Sequence, residues 1–295
     1  MSARDGGTSG MSVPAFESLF SAAGVTGWLY AVDVDTGHEV GHGADEPLAT
    51  ASMYKVPLLA AFCRQADAGL LDPAERVTVT RADHSTGPTG ISVMLDDVTI
   101  SLRDLAYLMI AVSDNTSADK LLARVGFDAV NDMLAEFGLE QTRVVQNSGE
   151  MNASMGRDTG HAWPFVDPDD IARLSALDPA RANRSTPREM ARLFGMIWRD
   201  EAASPDSCAW MRGVLNMQVW PHRLASGFPY DDVAVSGKTG TLPTLRCESG
   251  VVEYPDGGRY AVSVFNRSFG TALNQPRADA VIGTAARMAV DHLRR

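Results

Sequence analysis

The chain has 295 residues, of which 45% are hydrophobic and 21% are charged, a balance that is ordinary for a soluble globular enzyme. Its length suffices to bury one large core or two closely joined lobes without help from a metal or a partner. The formal net charge of −11 and the absence of a long basic run argue against nucleic acid and membrane surfaces as partners.

The N-terminal segment contains an arginine and an aspartate but no apolar run, so it predicts neither a signal peptide nor a membrane span, and we expect a cytoplasmic protein. Cys63, Cys208 and Cys247 lack paired spacing, which favours buried thiols over a disulfide framework. The one His-x-x-x-His pair, His38 and His42, is more typical of a polar surface than of a metal site. No metal and no other cofactor is therefore expected.

Hydrophobic periodicity predicts a helix over 15–23 and then strands over 28–34 and 39–43. The middle of the chain is expected to be mostly helical, with helices over 52–68, 101–112, 127–137, 187–198 and 208–218. Residues 140–185 are rich in glycine and proline and predict a long irregular loop. Within this loop, Trp163-Pro164-Phe165 is either a hydrophobic lid over a cleft or a group of buried aromatics that pins the loop.

Strands return over 233–235, 246–254 and 259–265, and an amphipathic helix over 276–293 closes the chain. Because strands occupy both ends of the chain and helices the middle, the two ends are expected to share one sheet domain. This domain would comprise 15–51 and 219–295, and residues 52–218 would form a mainly helical domain.

Chemistry is first suggested by Ser52-Met53-Tyr54-Lys55, which places a hydroxyl and an amine one helical turn apart. A serine becomes a nucleophile when a base takes its proton, and a lysine can be that base when its pKa is lowered. The pattern alone is also compatible with a solvated lysine on a surface helix. However, the chain has only three lysines, Lys55, Lys120 and Lys238, so the position of each carries information.

Two further motifs follow in the chain. Ser113-Asp114-Asn115 comes after an apolar helix and predicts either a plain helix cap or a hydroxyl that relays protons beside an amide that contacts substrate. Lys238-Thr239-Gly240 lies at a predicted strand, where an ammonium beside a hydroxyl suits a substrate carboxylate; an edge lysine that discourages aggregation is the alternative.

Together, in this order, the three motifs resemble those of class A β-lactamases and penicillin-binding proteins. The resemblance extends from about Phe16 to the C-terminus and implies an α+β fold, in which an antiparallel sheet flanked by the terminal helices packs against an all-helical domain. It also implies that Ser52 lies in the cleft between them. The backbone N–H groups of Ser52 and Thr241 would form the oxyanion hole.

The same resemblance calls for a glutamate between the second and third motifs that activates the water for deacylation. Glu150 is the best-placed candidate, with Asn152 as its neighbouring asparagine, although an exposed loop carboxylate is the alternative. Arg246 lies near the position of a carboxylate-binding arginine. The expected substrate-binding residues are listed here: Asn115, Lys238, Thr239, Thr241 and Arg246.

These patterns predict a serine hydrolase that is acylated on Ser52 by a cyclic amide, ester or amide carbonyl and then hydrolysed. Its partner would be a small molecule with a carbonyl and a carboxylate. A cytoplasmic esterase, amidase or acyltransferase that acts on a metabolite is a variant of this hypothesis. A descendant that binds a ligand without catalysis is the alternative from another class.

Overall fold

The computed structural model describes residues 15–160 and 167–295, and a five-stranded antiparallel sheet with the strand order β2-β1-β9-β8-β7 organises this part of the chain. Short two-stranded ribbons, β3 with β6 and β4 with β5, lie outside this sheet. The described strands are β1 Val25–Asp33, β2 Glu39–His42, β3 Leu48–Ala49, β4 Arg76–Val79, β5 Val98–Ser101, β6 Arg184–Ser185, β7 Ala234–Leu242, β8 Leu245–Glu253 and β9 Arg259–Ser268.

Helices cover both faces of the main sheet. The described α-helices are α1 Phe16–Ala22, α2 Lys55–Asp67, α3 Leu102–Ala111, α4 Asn115–Val125, α5 Phe127–Glu136, α6 Ser148–Thr159, α7 Pro187–Trp198, α8 Pro205–Asn216 and α9 Pro276–Leu293. No helix in the described part of the chain is long and apolar enough to cross a membrane. All three cysteines are buried and free.

Alternation along the strands divides the apolar side chains between two cores. On β1, Leu29 and Ala31 pack with the terminal helices α1 and α9, whereas Tyr30 belongs to the larger core on the other side of the sheet. That larger core includes Phe194 of α7 and Leu59 of α2. The predicted fold class, a sheet flanked by the terminal helices and packed against many helices, is confirmed. The division into two domains at 51 and 219 stays a prediction.

Strand β7 is longer than the sequence suggested. We expected a strand over 233–235, but β7 runs from Ala234 to Leu242 and carries Lys238 in its interior. The expectation fails because every residue from Ser236 to Gly240 is buried, so this strand lacks the alternation of polar and apolar residues on which the prediction relied.

The expected irregular loop over 140–185 is wrong in part, since α6 occupies Ser148–Thr159. A capping box begins this helix: Asn147 Oδ1 accepts the Glu150 N–H at 2.8 Å, and the Glu150 carboxylate accepts the Asn147 N–H at 2.9 Å. Short 3₁₀ turns over Pro168–Arg173 and Ser175–Leu177 follow. The proposed lid, Trp163-Pro164-Phe165, lies outside the described residues.

Candidate active site

Ser52 lies in a 3₁₀ turn, Ala51–Tyr54, that leads into α2. Side chains three residues apart are nearly eclipsed in a 3₁₀ helix, so Ser52 and Lys55 extend to the same side. Ala51 has a φ of 47°, in the left-handed region that non-glycine residues rarely adopt. Every residue from Lys55 to Cys63 in α2 is buried, which fixes the serine and the lysine at the start of a rigid element.

Lys55 is fully buried, and its ammonium group is surrounded by oxygen atoms from the junction of α3 and α4. Its Nζ donates to Ser113 O at 2.8 Å and to Asn115 Oδ1 at 2.7 Å, and Ser113 Oγ lies at 3.4 Å. Burial lowers the pKa of Lys55 to about 7, although the charges of Asp114 and Asp119 act in the opposite direction. A lysine with this pKa can accept a proton at neutral pH.

Ser113 is held in an unusual backbone conformation, with a φ of 61°. Such a conformation costs about 1–3 kcal/mol for a non-glycine residue and persists where neighbouring contacts impose it. In this protein the neighbouring contacts come from the next residue, Asp114. Its buried carboxylate accepts the N–H groups of Ile91 and Thr116 and the hydroxyl of Ser92. The motif is therefore a helix cap, as one interpretation predicted, and the cap also aims the Ser113 hydroxyl at both buried lysines.

Lys238 approaches Ser113 from the sheet. Its Nζ donates to Ser113 Oγ at 2.9 Å and to Thr239 O at 2.9 Å, and its side chain is fully buried. Burial holds the pKa of Lys238 well below its usual value, and the nearby charge of Lys55 lowers it further. One hydroxyl thus lies within hydrogen-bonding distance of two buried amines whose pKa values are both lowered.

A cavity of about 300 Å³ opens beside these groups. Ser52, Ser113 and Asn115 line it together with residues of β7 and α6. The β7 and α6 residues and the others that line the cavity are Thr86, Gly87, Pro88, Thr89, Val112, Met151, Asn152, Met155, Trp220, His222, Arg223, Thr239, Thr241 and Leu242. Within the described residues, no group of three His, Cys, Asp or Glu side chains is arranged to hold a metal ion.

The structure does not bring Glu150 to this cavity. Its side chain is exposed at the start of α6, where it accepts the Asn147 N–H, and it is not among the lining residues. The adjacent Met151 and Asn152 do line the cavity, and Asn152 Nδ2 donates to Thr86 O at 3.0 Å. Asn115 donates to the same carbonyl at 2.7 Å, so Thr86 joins the second motif to α6.

Arg246 is also absent from the lining of the cavity. It is buried on β8, and its guanidinium donates to the carbonyls of Leu242 and Leu245, each at 3.0 Å, and of Leu273 at 2.8 Å. These contacts hold strand ends and the 272–273 loop together. They place the guanidinium of Arg246 outside the cavity lining, and its substrate-binding role stays a prediction.

Sequence reasoning missed Arg223, which does line the cavity. This buried arginine donates from Nε to Asp279 Oδ1 at 2.7 Å, from one terminal nitrogen to Gly240 O at 2.9 Å, and from the other to Thr241 Oγ1 at 2.8 Å. No spacing rule in the sequence marks it. The only signal was its neighbour pair Trp220 and His222, whose rings meet edge to face between the last helix of the middle region and β7.

The fold and the set of two serines and two buried lysines define a serine β-lactamase-like protein. Residues 13–293 match the family described as the Beta-lactamase enzyme family, and the chain belongs to that family. The resemblance drawn from the three motifs is thereby confirmed.

Individual relatives agree with this assignment. The chain is 33% identical over 292 residues to the β-lactamase regulatory protein BlaB of Streptomyces cacaoi, covering 92% of this chain and 94% of that protein. It is 25% identical over 282 residues to a β-lactamase of Streptomyces albus G, covering 93% and 82%. The crystal structure of a β-lactamase from Sphaerobacter thermophilus DSM 20745 superposes with a TM-score of 0.77 and 26% identity, covering 94% and 95%.

Proposed function

We propose that the protein forms a covalent acyl-enzyme on Ser52 with small β-lactam-like carbonyl compounds. The observation that carries the proposal is the position of Ser113 Oγ, 3.4 Å from Lys55 Nζ and 2.9 Å from Lys238 Nζ, on the wall of the cavity that Ser52 lines. This chain of groups can take a proton from the nucleophile and return one to the leaving nitrogen.

In the proposed reaction, Ser52 Oγ forms a bond to the carbonyl carbon as its proton passes to neutral Lys55. When the carbon–nitrogen bond breaks, the Ser113 hydroxyl gives its proton to the departing nitrogen. Ser113 then regains a proton from a lysine ammonium. For a cyclic amide, the leaving amine stays attached to the acyl group, and no atom is lost from the adduct.

The oxyanion formed on attack would be held by backbone N–H groups of Ser52 and Thr241. The direction in which the Thr241 N–H points follows from strand geometry. On β7, which is the edge strand of the sheet, the Thr239 N–H points away from β8 and donates to Gln218 Oε1 at 2.6 Å. Residues two apart on a strand present their N–H groups to the same side, so the Thr241 N–H points the same way.

A substrate carboxylate would bind at the sheet side of the cavity, beside Thr239, Thr241 and Arg223. The guanidinium of Arg223 already donates to Thr241 Oγ1, and it supplies positive charge at this wall. Asn115, across the cavity, would contact the amide of the acyl group. Arg223 takes the role that the sequence had suggested for Arg246.

The proposed acyl-enzyme is long-lived. Water attack needs a base beside the acyl carbon, and at this wall the cavity presents the thioethers of Met151 and Met155 and the amide of Asn152. The carboxylate of Glu150 is engaged at the helix cap. We therefore propose acylation followed by slow hydrolysis, a behaviour that also suits a sensor of β-lactam-like molecules; the regulatory name of the Streptomyces cacaoi relative favours that second candidate.

Intact mass spectrometry tests this proposal. The purified protein is mixed with penicillin G, and the mass is followed over hours, with Ser52→Ala as the control. A lasting adduct of one penicillin that forms on the unchanged chain but not on Ser52→Ala supports the proposal. Rapid destruction of penicillin without an adduct would instead make the protein a working β-lactamase. No reaction with penicillin, with an adduct from an ester or amide probe, would move the substrate class to other acyl compounds.

A further inference from the structure

A loop at the wall of the cavity is closed by one buried side chain. This wall loop comprises residues 218–224, which follow α8, and three of its side chains line the cavity. Its first residue, Gln218, donates from Nε2 to Glu248 Oε1 at 2.7 Å, and its last, Leu224, donates its N–H to Glu248 Oε2, also at 2.7 Å. Glu248 lies on β8, and its exposed fraction is 1%. Both ends of the wall loop are therefore bound to a single carboxyl group.

The first end of the wall loop is also bound to the active-site strand. The Thr239 N–H donates to Gln218 Oε1 at 2.6 Å, and because a backbone N–H can only donate, this bond fixes which end of the amide faces β7. The NH₂ end of the amide then faces Glu248, which lies opposite Thr239 in the register of β7 with β8. Gln218 thus joins the wall loop to both strands.

At the other end of the wall loop, the bond from Leu224 holds the backbone of Arg223, because one peptide group joins these two residues. The N–H of this peptide group donates to Glu248, and its carbonyl oxygen, Arg223 O, accepts the Ser226 hydroxyl at 2.6 Å. The ψ angle of Arg223 sets the direction of that N–H, and at −101° it lies outside the helical and strand regions. The bond to Glu248 therefore fixes the backbone from which the Arg223 side chain extends.

The side chain of Arg223 contacts the same two strands. One terminal nitrogen donates to the carbonyl oxygens of Gly240 on β7 and Cys247 on β8, at 2.9 and 3.1 Å, and the other donates to Thr241 Oγ1 at 2.8 Å. The guanidinium keeps this position at the cavity wall only while the wall loop keeps its place against both strands. The two bonds to the Glu248 carboxyl group fix that place.

We propose that Gln218 and Glu248 are positioning residues, which together hold the wall loop against β7 and β8 and thereby set the selectivity of the cavity for substrates with a carboxylate. Neither residue lines the cavity, so both act through Arg223. The hold on the loop is independent of any reaction, and its consequence for selectivity rests on the proposed function.

Two substitutions break this hold in different ways. Glu248→Gln leaves one acceptor for two donors, and Gln218→Met keeps the length of the side chain without its hydrogen bonds. The readout is the acylation rate by penicillin G divided by that of its methyl ester, which lacks the carboxylate. We expect each substitution to reduce this ratio about threefold or more. A purely electrostatic role of Glu248 would leave the ratio unchanged in Gln218→Met, since that substitution alters no charge.

A double variant restores the hydrogen bonds with the two side chains exchanged. In Gln218→Glu/Glu248→Gln, the carboxylate at position 218 accepts the Thr239 N–H and an amide N–H from position 248. The amide oxygen at position 248 then accepts the Leu224 N–H. We expect the ratio of the double variant to return to within about twofold of that of the unchanged chain.

Amide hydrogen exchange, followed by NMR, measures the hold on the loop without a reaction. In Gln218→Met, the Thr239 N–H should exchange about tenfold faster, and in Glu248→Gln at least one of the Thr239 and Leu224 N–H groups should do so. The double variant should restore slow exchange at both. Glu189, which is buried on α7 and does not line the cavity, gives the matched control. Glu189→Gln should change neither the exchange of these two groups nor the ratio.

The outcomes separate this inference from the proposed function. If penicillin acylates the protein, an unchanged ratio in Gln218→Met would overturn the inference, as would a double variant no better than Glu248→Gln. If Glu248→Gln does not fold, Gln218→Met and the double variant carry the same comparison. Faster exchange that the double variant reverses, in a protein that penicillin does not acylate, would uphold the inference and count against the proposed function.

Discussion

Lys238 Nζ lies 2.9 Å from Ser113 Oγ, although 125 residues separate the two in the chain. The contact joins the active-site strand of the sheet to the junction of two helices. Lys55 reaches the same hydroxyl from a third element, α2. Because three elements converge on one hydroxyl, small changes to either lysine should be measurable as changes in the pH dependence of acylation.

Lys55 should set the acid limb of that dependence. Its pKa is lowered to about 7 by burial, and only the neutral amine can accept the Ser52 proton. We expect the acylation rate to fall about tenfold for each pH unit below 7 and to level off above it. Lys55→Ala should reduce the rate about 10²–10⁴-fold, as measured by stopped-flow or quenched mass spectrometry. Lys120→Ala, the matched control, should react like the unchanged chain; an equal loss in both would contradict this role.

Arg223 and Arg246 should differ in how they affect substrate choice. Penicillin G carries a carboxylate, and its methyl ester does not, so the ratio of the two acylation rates reports carboxylate binding. Arg223→Ala should reduce this ratio by about 10-fold or more, because a charge-assisted hydrogen bond is worth about 1.5–3 kcal/mol. Arg246→Ala should lower stability but leave the ratio unchanged. A ratio that responds to Arg246 alone would restore the original interpretation from the sequence.

Glu150 can be tested with a substitution that preserves the fold. Glutamine fills the same capping position as glutamate, so Glu150→Gln removes the carboxylate but keeps the helix start. We expect the lifetime of the acyl-enzyme to be unchanged, since this side chain is exposed and contacts Asn147. The lifetime is measured by chasing the adduct after removal of free penicillin. A lifetime that lengthens tenfold or more would identify Glu150 as the deacylation base after all.

The elements predicted best were those whose local signals and tertiary role agree. The closing helix was predicted over 276–293 and runs from Pro276 to Leu293, since a proline begins it and a continuous apolar stripe covers the sheet. In contrast, half of the residues of α6 are Ser, Gly, Asn or Thr, which favour turns, so only its capping box indicated a helix.

For the active site, too, local sequence signals predicted some residues and not others. The three motifs identified Ser52, Lys55, Ser113 and Lys238 because each residue type has a chemical reason to be near the others. The choice between Arg223 and Arg246 depends on which guanidinium the folded backbone leaves facing the cavity. Arg246 is enclosed by the carbonyl of Leu242, across the turn between β7 and β8, and by that of Leu273, 27 residues further along the chain, and no local pattern encodes that enclosure.

The central claim is that Ser52 forms a lasting acyl-enzyme, and intact mass after exposure to penicillin G tests it most directly. The account predicts one added penicillin on the full chain that remains for hours, located on the peptide containing Ser52, with no addition to Ser52→Ala. An adduct of equal size on Ser52→Ala, or an unmodified chain that leaves penicillin and ester probes intact, would contradict it.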